Sequence, residues 1–234
     1  MNIAVVGDIH VGASSHSPVS SIIETASQSC DILLLAGDLT EQGLTEEAEL
    51  VAKDLSSCPV PVVAVLGNHD YEAGKEKEII HILTQANVTV LDGTYFVHRD
   101  VGIAGVKGFG GGFGKHMVSL WGESAFKTFV KESINEALKL ERALSQLPTQ
   151  KKVALLHYSP IEGTIEGEPK EIYPFLGTSR LEDPIDRYDV SVVFHGHAHA
   201  GTHKGTTSSK IPVFNTALHL MQQQKLGHIQ TYSL

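Results

Sequence analysis

The chain has 234 residues, with 18 Lys and Arg against 27 Asp and Glu, for a net charge of −9. Its 41% hydrophobic and 19% charged composition is that of a globular protein and argues against a disordered, collagen-like or coiled-coil chain. The acidic balance disfavours nucleic acid as a partner, because neutralising phosphates needs a basic face. The start of the chain meets Asp8 with no basic region before it, which argues against a signal peptide. The longest apolar run, residues 60–66, contains Pro61 and is far shorter than the roughly 20 residues of a membrane span. Cys30 and Cys58 form no disulfide framework. These features lead us to expect a cytoplasmic protein with no membrane partner.

Short runs of Val, Ile and Leu recur at residues 3–6, 32–36, 62–66, 103–106, 153–156 and 190–194. They are continuous rather than alternating, as in strands covered on both faces. Between the early ones, residues 18–29 predict a helix with Ser17 as N-cap and Pro18 in the first turn. Residues 45–56 and 75–86 also carry apolar side chains at helical spacing. The strongest helical pattern covers 123–147, where Phe126, Phe129, Val130, Ile134, Ala137, Leu138, Leu144 and Leu147 form one stripe before Pro148. Strands alternating with helices imply βαβ units with parallel strands. Residues 88–106 and the tail 211–234 read as antiparallel hairpins. The glycine-rich stretch 107–117 reads as a mobile lid or an ordinary surface loop, and the acidic stretch 159–189 as irregular. No repeat or composition break divides the chain, so one domain over 1–234 is expected.

Five of the apolar runs end in potential metal ligands. They run into Gly7-Asp8-Ile9-His10, Gly37-Asp38, Gly67-Asn68-His69-Asp70, His157, and His195-Gly196-His197-Ala198-His199. In open α/β sheets ligands bind beyond the carboxyl ends of parallel strands, so one edge would collect all five groups. Thirteen histidines is an unusual number for this length. Asp8 or Asp38 alone would read as a helix N-cap and Asn68 as a turn residue. Together with the histidines, Asp and His with one Asn and no Cys suit Mn, Fe or Zn. Asp8, His10, Asp38, Asn68, His157, His197 and His199 are enough donors for two divalent ions about 4 Å apart sharing one carboxylate. Two such ions, offset by two carboxylates and a hydroxide, leave a positive centre for a phosphoryl group.

The order Asp-x-His, Gly-Asp, Gly-Asn-His-Asp, His, Gly-His-x-His resembles the calcineurin-like metallophosphoesterase family, over residues 7–199. The resemblance implies an α/β fold, a two-sheet β-sandwich of mixed strands flanked by helices. It implies that Asp8, His10, Asp38 and His199 hold one metal, that Asp38 bridges, and that Asn68, His157 and His197 hold the second. A metal-bridging hydroxide would attack phosphorus, and His69 would protonate the leaving oxygen. Glu41 stands where family phosphatases carry an aspartate that orients this histidine, and Asp70 is a rival orienter. The pattern is also similar to that of bacterial class III cyclic-nucleotide phosphodiesterases, which favours a small phosphoester substrate, although monoesterases share the same ligands. A non-catalytic metal-binding module on the same fold, or a nuclease, would share much of the pattern. The acidic stretch 159–189 weighs against the nuclease. His116, after the glycine-rich run, and Arg180 are candidate substrate contacts, with Arg187 a further phosphate clamp. His195 has no family role and reads as a hydrogen-bonding residue. The other histidines, His16, His81, His98, His203, His219 and His228, read as surface or core residues.

Overall fold

The computed structural model describes residues 1–12 and 17–234; His16 lies outside the described residues. In chain order the elements are β1 (Asn2–Val6), α1 (Val19–Ser29), β2 (Ile32–Ala36), α2 (Thr45–Leu55), β3 (Val62–Val65), α3 (Glu76–Gln85) and β4 (Val88–Val90). There follow β5 (Thr94–His98), β6 (Val101–Val106), α4 (Ser124–Gln146), β7 (Lys151–Leu156), α5 (Tyr173–Leu176), α6 (Glu182–Arg187) and β8 (Val192–His195). The last are β9 (Lys204–Thr206), β10 (Pro212–Asn215), α7 (Leu218–Gln223) and β11 (Gln230–Ser233). One sheet has the order β11-β1-β2-β3-β4 and the other β5-β6-β7-β8-β10-β9. β1 to β4 run parallel to one another, as do β6, β7, β8 and β10.

The sheets pack face to face, and each is covered by helices on its other side. Ile3, Val5, Ile32, Leu34, Val153, Leu155, Val192 and Phe194 point into the core between the sheets. Their neighbours Ala4, Val6, Leu33 and Leu35 pack with Ile22, Val51, Ile79 and Leu83 of α1 to α3. Ala154, Leu156 and Val193 pack with Leu140 and Leu144 of α4 and Ile185 of α6. Successive side chains of a strand point to opposite faces. Two apolar layers on either side of each sheet therefore require the continuous runs seen in the sequence.

Three expectations are corrected. β5 and β6 form the antiparallel hairpin, but β4 pairs parallel to β3 in the other sheet. The tail is not a hairpin. β10 pairs parallel to β8 and antiparallel to β9, and α7 then carries the chain across so that β11 pairs antiparallel to β1. An alternating strand records which of its faces is buried, not which strand it lies beside. Finally, the stripe on α4 is wider than its buried part. Val130, Leu140, Ala143 and Leu144 are buried, whereas Phe126 is 53% and Leu138 55% exposed. Among the described residues, no helix is long and apolar enough to cross a membrane.

Candidate metal centre

β1, β2 and β3 of one sheet and β7 and β8 of the other run toward a common edge, and the five polar groups follow their last residues. The backbone there is bent in an unusual way. Asp8 (φ 56°), His10 (φ 45°), Asp38 (φ 49°) and His197 (φ 71°) all occupy the left-handed region. That conformation is costly for non-glycine residues, and such strain concentrates at functional sites. Glycines make the close approach possible. A Cβ on Gly196 would lie 2.2 Å from Asp8 Oδ2, and one on Gly67 2.1 Å from Asp38 Oδ1.

The donors form three overlapping groups whose ligand atoms lie within 4.8 Å of one another: Asp8, His10 and His199; His10, Asp38 and His69; and Asp38, His157 and His197. Asp38 belongs to two of them. Its carboxylate is buried, accepts a hydrogen bond from the His69 N–H at 2.9 Å, and lies 3.4 Å from His157 Nε2. Asp8 is also buried; it accepts from the His197 N–H at 2.9 Å, and His199 Nε2 lies 2.9 Å away. Asn68 Oδ1 is 2.9 Å from His157 Nε2.

Electrostatically the cluster calls for positive charge. Burial opposes a charged His157, but Asp38 outweighs it and lifts the imidazole to about 9. Burial likewise resists ionisation of Asp38, yet the opposing His157 holds its carboxyl below the usual carboxylate range. His197 is pushed down to about 3, by burial and then by the neighbouring His157, so it is a neutral donor. The Nδ1–H of His157 donates to the Ala36 carbonyl at 2.9 Å, and Nε2–H of His197 to that of Phe175 at 3.2 Å. Fixing one ring nitrogen this way turns the other toward the cluster, the usual arrangement of metal-binding histidines; at His157 a bound cation would take the place of the Nε2 proton that Asp38 favours. Among the described residues, both ring nitrogens of His10 are buried without a hydrogen bond. Glu41 Oε2 is 3.2 Å from His10 Nδ1, and Asp38 Oδ2 3.8 Å from Nε2. Buried ring nitrogen without a hydrogen bond, beside the buried carboxylates of Asp8 and Asp38, is a donor set that fits a divalent cation.

His69 sits at this edge with its ring 4.6 Å from that of His10. Neither expected carboxylate orients it. Its Nδ1 contacts the backbone carbonyl of Glu41 at 2.6 Å, while the half-exposed Glu41 carboxylate reaches His10 instead. Asp70 is fully buried and accepts from the N–H groups of Gly67, Leu39 and Thr40 and from the Thr40 hydroxyl, at 2.7 to 3.3 Å. It staples the end of β2 to the end of β3. Burial, and then the charge of Asp38, raise its carboxyl to about 6. Nearby, the buried Glu47 accepts from the N–H groups of Gln42 and Leu44, starting α2 and fixing the loop that carries Glu41. Asp70→Ala is expected to cost about 3 kcal/mol of stability, because it strands several buried donors; urea unfolding of the metal-free protein measures this. Unchanged stability with turnover reduced as far as in a His69 variant would restore the orienting role to Asp70.

Other expected contacts fall elsewhere. His116 is exposed, and among the described residues no hydrogen bond, ion pair or ring contact joins it to the cluster. The Arg180 guanidinium donates to the Val118 carbonyl at 2.6 Å, and Arg187 pairs with Glu141. The glycine-rich loop is pinned rather than loose. Gly111 N–H donates to Pro174 O at 2.6 Å, Gly112 N–H to Gly177 O at 2.9 Å, and Glu136 accepts from the Gly108 N–H. His195 is buried with Nδ1 2.7 Å from Gly196 O and Nε2 2.8 Å from Thr164 Oγ1. The sequence pointed to neither Tyr158 nor Phe175 as a neighbour of the cluster, and His219 read there as a surface or core residue. The Tyr158 ring lies 4.4 Å from His197, the His219 ring 6.1 Å from His199, and the Phe175 carbonyl touches His197. Tyr158 follows His157 directly, the one signal that could have marked it.

Known proteins extend the same pattern. Over 173 residues the chain is 25% identical to the probable glycerophosphodiester phosphodiesterase GpdQ of Arcobacter nitrofigilis, a match covering 72% of this chain and 56% of that protein. The chain thus spans little more than half the length of that relative. Among solved structures it is similar to the phosphopantetheinyl hydrolase PptH of Mycobacterium tuberculosis, with a TM-score of 0.69 at 15% identity over 99% of this chain and 95% of that one. It is also similar to the protein TT1561 of Thermus thermophilus, with a TM-score of 0.59 at 14% identity over 99% and 98%. At such identities these two likenesses establish the fold alone. The family model for calcineurin-like phosphoesterases matches residues 1–201, the span that contains every strand end described above, and the chain belongs to that family.

Proposed function

We propose that the protein is a metal-dependent hydrolase of small phosphate esters, with diesters preferred, working with two divalent ions. The observation that carries this reading is the pair of donor groups that share Asp38, at the meeting edge of five strands. Asp8, His10, Asp38 and His199 would hold one ion, and Asp38, Asn68, His157 and His197 the other. Bound divalent ions supply charge neutralisation for the phosphoryl oxygens and make water acidic enough to serve as nucleophile at neutral pH. The preference for a diester is supported by the relative described as a probable glycerophosphodiester phosphodiesterase.

The protein's own part in the reaction is proton delivery and positioning. His69 acts as the general acid. Its Nδ1–H donates to the Glu41 carbonyl both before and after the reaction. The mobile proton is therefore the one on Nε2, and it passes to the departing alkoxide. Asp38 accepts from the His69 backbone N–H, which ties the acid to the shared carboxylate. Asp70 keeps the two strand ends in register.

The test is hydrolysis of bis-p-nitrophenyl phosphate and p-nitrophenyl phosphate by Mn²⁺-loaded protein, with a chelated control. Chelator-sensitive turnover with the diester preferred is expected. Preference for the monoester would redirect the search to phosphomonoesters. Chelator-insensitive turnover would overturn the metal-dependent reading, and no turnover on either ester would leave a non-catalytic binding module.

A further inference from the structure

Where α4 begins, the protein carries an apolar groove that the reaction does not explain. Val118, Ala125, Phe126, Phe129, Pro174 and Phe175 line a space of about 270 Å³. Phe126 and Phe175 are 53% and 58% exposed. Isolated apolar side chains on a surface need no explanation, but a contiguous concave patch marks a binding surface. All six lining side chains are apolar, so an occupant must be apolar where it touches the groove.

Two links connect the groove to the metal centre. Phe175 belongs to both: its carbonyl lies 3.2 Å from His197 Nε2, while its side chain forms one wall. A series of ring contacts also joins His197 to Phe175. His197 packs on Tyr158 at 4.4 Å, Tyr158 on Phe109 at 5.8 Å, Phe109 on Phe129 at 5.0 Å, and Phe129 on Phe175 at 6.0 Å. The groove thus adjoins the His197 side of the cluster through Phe175. The pinning of the glycine-rich loop against residues 174–177 holds its walls together.

We propose that this groove receives the apolar substituent, an alkyl chain or an aromatic ring, of the ester hydrolysed at the cluster. The proposal rests on the hydrolase reading and adds a substrate class to it: amphipathic phosphoesters, with the phosphoryl group at the strand ends and an apolar group along α4. The volume falls just short of pockets that enclose a whole drug-sized ligand. It suits one substituent rather than an entire molecule.

The experiment uses n-alkylphosphonates from methyl to hexyl, which cannot be hydrolysed, on the Mn²⁺-loaded protein. Trp121 is the sole tryptophan, is 71% exposed, and lies between Val118 and Ala125 in the chain. Its fluorescence reports binding without turnover, and inhibition of bis-p-nitrophenyl phosphate hydrolysis gives a second readout. Affinity should rise about fourfold per added methylene. Phe126→Asp and Ala125→Glu, both at exposed positions of α4, should flatten that series, weakening hexylphosphonate at least tenfold while leaving the affinity for methylphosphonate unchanged. A flat series in the unaltered protein, or a steep one that both variants retain, would overturn the proposal. So would a dimer dissolved by Phe126→Asp together with a flat series, since the groove would then be a contact between two copies. A steep fluorescence series in a protein without chelator-sensitive hydrolysis would keep the groove as a binding site and sink the hydrolase reading alone.

Discussion

Asp38→Ala is expected to empty both metal positions and to lower turnover by at least about 10³-fold, since metal ions contribute several kcal/mol to such reactions and each 1.36 kcal/mol is a factor of ten. The reason is its place between two donor groups. Asp38 shares one with His10 and His69 and the other with His157 and His197; Asp8 belongs only to the group with His10 and His199. Its removal also leaves His157 without the carboxylate that raises its pKa, so a buried imidazole loses its counter-charge. Metal content by elemental analysis is the measurement, with thermal unfolding of the metal-free variant alongside to show that the fold persists. An Asp38→Ala protein that still retains two ions would refute the shared role.

The second large effect concerns His69. His69→Ala should reduce turnover by about 10²–10⁴-fold, the usual contribution of a positioned acid, with metal content near that of the unaltered protein. The loss should be larger for esters with an alkyl leaving group than for p-nitrophenyl esters, whose leaving group departs without a proton. His69 also lies within donor distance of His10 and Asp38, which makes the metal analysis decisive. If the variant loses an ion, His69 is a ligand and the acid must be sought elsewhere. If metal and turnover both stay, the Glu41 carbonyl orients a residue without a chemical task.

The residues at the strand ends were legible because each group follows an apolar run and most sit beside a glycine that backbone or carboxylate approaches closely. What orients them was not. The Nδ1 partner of His69 is a main-chain carbonyl, and every residue has one, so no side-chain pattern reveals it. The same holds for Arg180, whose guanidinium is taken up by the Val118 carbonyl, and for the glycine-rich loop, which composition marks as loose and backbone hydrogen bonds fix. The central strands β1, β2, β3, β6, β7 and β8 were readable from their continuous apolar runs, whereas β9, a short polar strand, was not. The assignment of strands to one sheet or the other was not readable either, because β4 and β11 find their partners through contacts that no local pattern encodes. The groove was equally hard to read: Phe126 and Phe129 fit the helical stripe just as well whether or not another element covers them.

The division of the cluster between the sheets bears on how the protein is made. Asp8, Asp38 and Asn68 come from β1, β2 and β3, while His157, His197 and His199 come from β7, β8 and the turn beyond. A chain synthesised from its N-terminus exposes the carboxylates first, and Asp8 waits for a partner that lies 191 residues downstream. Until then the left-handed bends at Asp8 and Asp38 have no counterpart across the edge. No partial chain that stops before β8 can assemble the donor group of Asp38, His157 and His197 or that of Asp8, His10 and His199. Of the three donor groups, only that of His10, Asp38 and His69 is present before β7 is made, and the other two wait for the residues that follow β8.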